Sequence, residues 1–199
     1  MFTIKWKDED KKYIQIVDRA WELFWKYGYN RVTVEEICEK AGVSKSTFYK
    51  HFKNKIDLTK TILDKVYDQS LEKYNMIMEQ DIPFFEKVKQ SILFKLNQTE
   101  DLSGEFFREL YATGNKELNE YWIKKINTVL KMLHDSYVEA QKKGHIRKDI
   151  KPEFIIYMLN KMMEMIKDEN ILKLYNSPQD LIMEHTNFFF YGILPPREK

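Results

Sequence analysis

The sequence predicts an all-α protein, a short N-terminal three-helix module followed by a larger helical bundle. Three observations point there. The 199 residues contain only six Gly and five Pro, thinly spread. Stretches rich in Lys, Glu, Leu, Ile and Met stand where a β protein would carry alternating Val, Ile and Thr. Apolar residues recur at three- and four-residue intervals, the spacing that gathers them on one face of a helix. A single cysteine, Cys38, excludes an internal disulfide. No N-terminal apolar run resembles a signal peptide, and the longest apolar stretches fall short of the roughly 18–20 residues that span a bilayer. A reduced, cytoplasmic protein without membrane contact is the expectation.

The first predicted helix runs from about Asp8 to Tyr27, with Ile16, Ala20, Leu23, Phe24 and Tyr27 as its buried stripe and Gly28 as its stop. Thr33 followed by Glu36 has the form of a capping box, and Val32 with Ile37 that of a hydrophobic staple. A second helix therefore begins near Val34, carries Ile37, Cys38 and Ala41 inward, and ends at Gly42. Ser44 caps a third, from about Lys45 to His51. Two short helices joined by Gly42-Val43-Ser44 form a helix-turn-helix.

The charge distribution gives this module a function class. Net charge is +2 overall, but residues 1–60 hold 13 Lys/Arg against 9 Asp/Glu. Residues 40–60 hold six Lys and one acid, Asp57. The third helix presents Lys45, Ser46, Tyr49 and Lys50 outward, with Phe48 turned toward the preceding helix. Small hydroxyl side chains permit close approach to base edges, and amines meet phosphates and guanines. Duplex DNA is the expected partner.

The run T-V-E-E-I-C-E-K-A-G-V-S-K-S-T-F-Y-K-H-F-K-N-K at 33–55, preceded by L-F-W-K-Y-G-Y at 23–29, resembles the N-terminal signature of the TetR family of bacterial transcriptional regulators. The resemblance is specific over about residues 12–60 and architectural beyond. It implies that Thr33 and Tyr49 contact phosphates, that Lys45, Ser46, Thr47 and Lys50 face the groove, and that Lys55 anchors the DNA backbone. Ser44 and His51 complete the expected DNA-facing set, and Phe48 and Phe52 are core. The sequence departs from the family pattern at Ser46, where Gly or Pro is frequent, at Phe48 for Leu, and at Cys38 for Ala. Ser46 either reads a base or merely allows close approach.

Beyond Asn54 a fourth helix runs to about Met78 without a linker, so the expected division is 1–54 for DNA binding and 55–199 for effector binding and dimerisation. Further helices are expected at 83–98, 103–112, 116–143 and from Pro152 and Pro178. The last two are apolar nearly all round, which suggests burial against both their own core and a second copy, through Ile155, Leu159, Met162, Ile182 and Phe189. The resemblance implies an effector pocket bounded by helices 4 to 8, for a small apolar or aromatic ligand. Phe107, Tyr111 and Trp122 are the nominated lining. The expected function is a homodimeric repressor released from its operator by that ligand; a constitutive DNA-binding regulator or adaptor is the alternative.

Catalytic and metal chemistry find no support in the sequence. The four His, at 51, 134, 145 and 185, lack an i,i+4 pair, and no G-x-S-x-G, Walker A or glycine-rich dinucleotide loop occurs. Residues 80–199 offer no convergent polar cluster for an enzyme. No cofactor is expected.

Overall fold

In the computed structural model the described residues are 10–101, 105–111, 115–165, 168–176 and 178–193. Among them the helices are α1 (Lys11–Tyr27), α2 (Val34–Ala41), α3 (Lys45–His51), α4 (Lys55–Met78), α5 (Phe84–Asp101), α6 (Glu105–Tyr111), α7 (Lys116–Lys142), α8 (Pro152–Met165), α9 (Glu169–Leu172) and α10 (Pro178–Ile193). The sequence pattern locates all of these except α9, a single turn between α8 and α10 that is capped by Asp168, whose carboxylate accepts the Asn170 amide at 2.9 Å, but is too short to show a helical period.

Local chemistry fixes the ends of the first three helices. The Asp10 carboxylate accepts the Lys12 and Tyr13 amides at 2.7 and 3.3 Å, satisfying orphan donors at the start of α1. The predicted capping box is complete, with Thr33 Oγ1 accepting the Glu36 amide at 3.2 Å and Glu36 Oε2 accepting the Thr33 amide at 2.8 Å. Gly42 closes α2 in the left-handed conformation at φ 64°, where a Cβ would be strained. Ser44 Oγ accepts the Thr47 amide at 3.1 Å to start α3.

The chain forms two compact units, Met1–Met76 with Asn97–Lys125, and Ile77–Leu96 with Ile126–Lys199. The first is cored by Ile16, Ala20, Phe24, Ile37, Phe48, Leu58, Ile62 and Leu63, all fully or almost fully buried. Phe106, Phe107, Leu110 and Leu118 belong to the same core. Phe106 stacks on Phe24 at 5.9 Å and meets Trp21 edge-on at 5.8 Å. Neither unit ends at Asn54, where the functional division is expected. Helices α1 to α3 share a core with α4, α6 and the beginning of α7, and the sequence separation of those aromatics hides this from pattern reading.

Within that unit α4 and α7 are tied by polar contacts. Tyr121 donates to Asp64 Oδ1 at 2.5 Å, Lys125 pairs with Asp64 at 2.7 Å, and Lys60 with Glu117 at 2.7 Å. The second unit is built on Val88, Tyr137, Ala140, Ile146, Ile155, Phe189 and Phe190. Phe85 meets Phe190 edge-on at 4.8 Å. No helix among the described residues is long and apolar enough to cross a membrane.

Candidate nucleic-acid interface

Phe48 is wholly buried and Phe52 nearly so, and their rings lie 5.7 Å apart beneath α3. That anchoring leaves Lys45, Ser46, Tyr49 and Lys50 exposed on one short helix, with Tyr49 55% exposed. Thr33 is exposed at the start of α2, its backbone locked by the capping box. Thr47 is half-buried, and Ser44 Oγ lies 3.0 Å from Thr47 Oγ1, so Ser44 serves first as a cap. His51 is half-buried with its ring edge-on to Tyr13 at 6.0 Å. The expected DNA-facing side chains of α3 thus share one helix, on a rigid apolar base.

Electrostatics refine the picture at two lysines. Lys45 forms an ion pair with Glu35 of α2, both side chains being more than half exposed. The hydrogen bond between them holds the Glu35 carboxyl below the usual range and raises the Lys45 ammonium. Lys55 is half-buried and turned inward. Its Nζ donates to the carbonyls of Tyr29 and Val32, each at 2.8 Å, and lies 4.1 Å from the centre of the Tyr29 ring. Burial pushes its pKa down. Its ammonium is therefore committed to the loop between α1 and α2, a role that spacing alone cannot show.

This placement gives a testable result. Lys55→Ala is expected to cost about 1–3 kcal/mol of stability, the usual worth of hydrogen bonds from a partly buried charge. It should weaken binding to all DNA sequences while leaving the slope of log affinity against log salt unchanged. A fall of about one unit per subunit would instead mark a phosphate contact. Fluorescence anisotropy at several salt concentrations, with denaturant unfolding alongside, separates the two.

The same loop is held from its other side by α6. Glu109 Oε2 accepts the Asn30 amide at 2.9 Å, and the Glu109 carboxylate fills the space beside Gly28. Cys38 is buried, and burial raises its thiol pKa, so it is the neutral small apolar group its position requires. No group of three or more His, Cys, Asp or Glu that could hold a metal ion occurs among the described residues.

Of the aromatics nominated for the effector pocket, Phe107 and Trp122 pack in and against the core of the first unit. Phe107 is buried in the first unit against Trp21, Trp25 and Trp122, and the Tyr111 side chain is outside the described residues. Helical periodicity reports burial and cannot distinguish a pocket wall from a core. A cleft of about 610 Å³ occurs within the second unit. Met78, Ile82, Phe84, Met132 and Ala140 supply apolar wall, and Lys87, Lys131 and Lys143 supply cationic groups alongside His145, Asp135 and Glu139.

Residues expected at the dimer interface also divide. Ile155 is wholly buried and Phe189 8% exposed, both in the core of their own unit. Leu159 is half-buried, and the side chains of Met162 and Ile182 are outside the described residues. Among the described residues, the large apolar side chains that α8 and α10 leave open are Phe154, Tyr157, Met165 and Phe188. On helices apolar on every side, sequence cannot tell which face looks inward.

A capped helix-turn-helix presenting cations and hydroxyls on its second helix is the arrangement of a DNA-binding transcriptional regulator. Residues 16–62 match the family model described as bacterial regulatory proteins, tetR family. Over that segment the chain is similar to the TetR family of transcriptional regulators. It is 26% identical over 149 residues to the HTH-type transcriptional regulator YhgD of Bacillus subtilis, covering 74% of this chain and 78% of that one. It is 37% identical over 76 residues to the fatty acid metabolism regulator protein of Bacillus subtilis, covering 38% and 37%. The fold resembles that of the fatty acid degradation regulator FadR of Bacillus halodurans, with TM-score 0.71 and 19% identity over 92% of this chain and 97% of that one.

Proposed function

We propose that the protein is a homodimeric repressor that leaves its operator when a small, largely apolar effector binds the C-terminal part of the chain. Residues 1–54 read DNA and residues 55–199 bind effector and dimerise. The observation that carries the reading is the exposed face of α3, Lys45, Ser46, Tyr49 and Lys50, mounted on buried Phe48 and Phe52. Thr33 and Tyr49 take phosphates, and Lys45, Ser46, Thr47 and Lys50 face the groove. Copies associate through α8 and α10, with Phe154, Tyr157 and Phe188 as the surface they hide. Fatty-acid regulators recur among the relatives. Together with the cleft's apolar wall and cationic groups, this supports a fatty-acid-derived anion as effector.

The test selects an operator from a random duplex pool with the full-length protein, then titrates a panel of fatty acids and their acyl thioesters. Release by one of them is expected at a coupling of about 5- to 150-fold, and linkage requires that operator DNA weaken effector binding by the same factor. An operator that no member of the panel affects favours the constitutive regulator.

A further inference from the structure

The Glu35–Lys45 pair joins α2 to α3 on the solvent-facing side of the helix-turn-helix, at the end of α3 that the proposed function sends toward base edges. Both side chains are exposed, 60% and 56%. A pair so exposed gains little from Coulomb attraction and adds little to folding. Its effect falls on what Lys45 does next. While the pair holds, the ammonium is neutralised and occupied, and the carboxylate stands where DNA would arrive.

We infer that Glu35 is a specificity-determining residue: its carboxylate restrains Lys45 on arbitrary DNA and releases it only where base edges satisfy both partners. The inference rests on α3 being the reading helix. On arbitrary DNA, moving Lys45 to a phosphate leaves Glu35 unpaired against the negative backbone, so the gain from one contact is offset by repulsion from the other. A G·C pair in the major groove removes that conflict. Guanine O6 and N7 accept from a lysine, and the cytosine N4 amino group donates to a carboxylate. The pair is then exchanged for two base contacts, with no charge stranded. Tyr49, exposed on the same helix, and Lys50 beside it remain available in both cases.

Glu35→Gln keeps the side-chain size and removes the charge. With the full-length protein and an operator selected by the wild type, E35Q is expected to bind a scrambled duplex about tenfold more tightly and to gain nothing on the operator, where the loss of the charged acceptor for cytosine N4 offsets the freed lysine. The discrimination ratio then falls about tenfold. The salt slope on scrambled DNA should steepen by about one unit per subunit as Lys45 joins the phosphate contacts. In a Lys45→Ala background the same substitution should change scrambled-DNA affinity by less than threefold, because no cation remains to be released. A selection repeated with E35Q should lose one G·C preference per half-site. Equal tightening on both duplexes, no change on either, or an undiminished effect without Lys45 overturns the inference. A wild-type protein that selects no sequence overturns the reading of α3 itself and this inference with it, whereas an operator selected equally well by both proteins overturns only the role of Glu35.

Discussion

Replacing Phe188 with Glu is expected to yield monomers at micromolar concentration and to weaken operator binding by at least about 100-fold, the scale of avidity that two linked modules gain. The three consecutive Phe at 188–190 of α10 have different environments. Phe189 and Phe190 are 8% and 1% exposed in the core of their unit, while Phe188 is 83% exposed. Hiding a phenyl ring from water is worth about 1.5–3 kcal/mol, and a two-fold interface counts each such ring twice. The carboxylate introduced by F188E would be buried against the partner without a counter-ion, while in the isolated chain it meets water. Monomer stability should therefore change little, and circular dichroism with thermal unfolding checks that it does. Phe189→Glu makes the contrast: it places a charge inside the core and should unfold the second unit before dissociation can be read. Sedimentation of F188E as an undiminished dimer with wild-type operator affinity would place the interface elsewhere.

The distance over which a feature is encoded decides how much of it could be read from sequence. The helix-turn-helix is written in neighbours: Thr33 with Glu36, Gly42 after Ala41, Ser44 before Lys45, and each appears where the local chemistry requires it. Phe48 and Phe52 follow because the short helices leave one apolar direction. The α6 aromatics could not be assigned in this way, since Phe106 reaches Phe24 across more than eighty positions and its pattern is that of any buried helix. Lys55 is the sharper case. Its place in the motif suggests DNA, yet its Nζ is spent on the carbonyls of Tyr29 and Val32, because a loop that turns away from helical geometry leaves acceptors that a nearby cation can satisfy. Glu35, explicable from sequence as an acid at a helix N-terminus, meets Lys45 only once the turn brings α2 and α3 together.

The loop between α1 and α2 is where the second large effect is expected. Gly28→Ala should cost about 2–4 kcal/mol, measurable as a lowered denaturation midpoint, with weaker binding to every DNA sequence at conditions where the variant remains folded. Two causes act together. Gly28 sits at φ 80° and ψ 161°, a region that is close to glycine-only and costs other residues of order 1–3 kcal/mol. A Cβ there would also lie 2.6 Å from Glu109 Oε1, which must then withdraw and release the Asn30 amide that Glu109 Oε2 holds. Asn30 lies three residues before Thr33, so a loop released from α6 moves the cap that orients α2, and α3 with it. A double-mutant cycle separates the causes. Glu109→Ala alone removes one exposed hydrogen bond and should cost about 1 kcal/mol. In the Gly28→Ala background it should cost less than that or recover stability, because the clash has gone while the backbone strain stays. Strict additivity would mean that Glu109 keeps the Asn30 amide in the Gly28→Ala variant and that the added Cβ does not loosen the clasp. A favourable coupling would make Glu109 the point through which a displacement of α6 reaches α2 and α3.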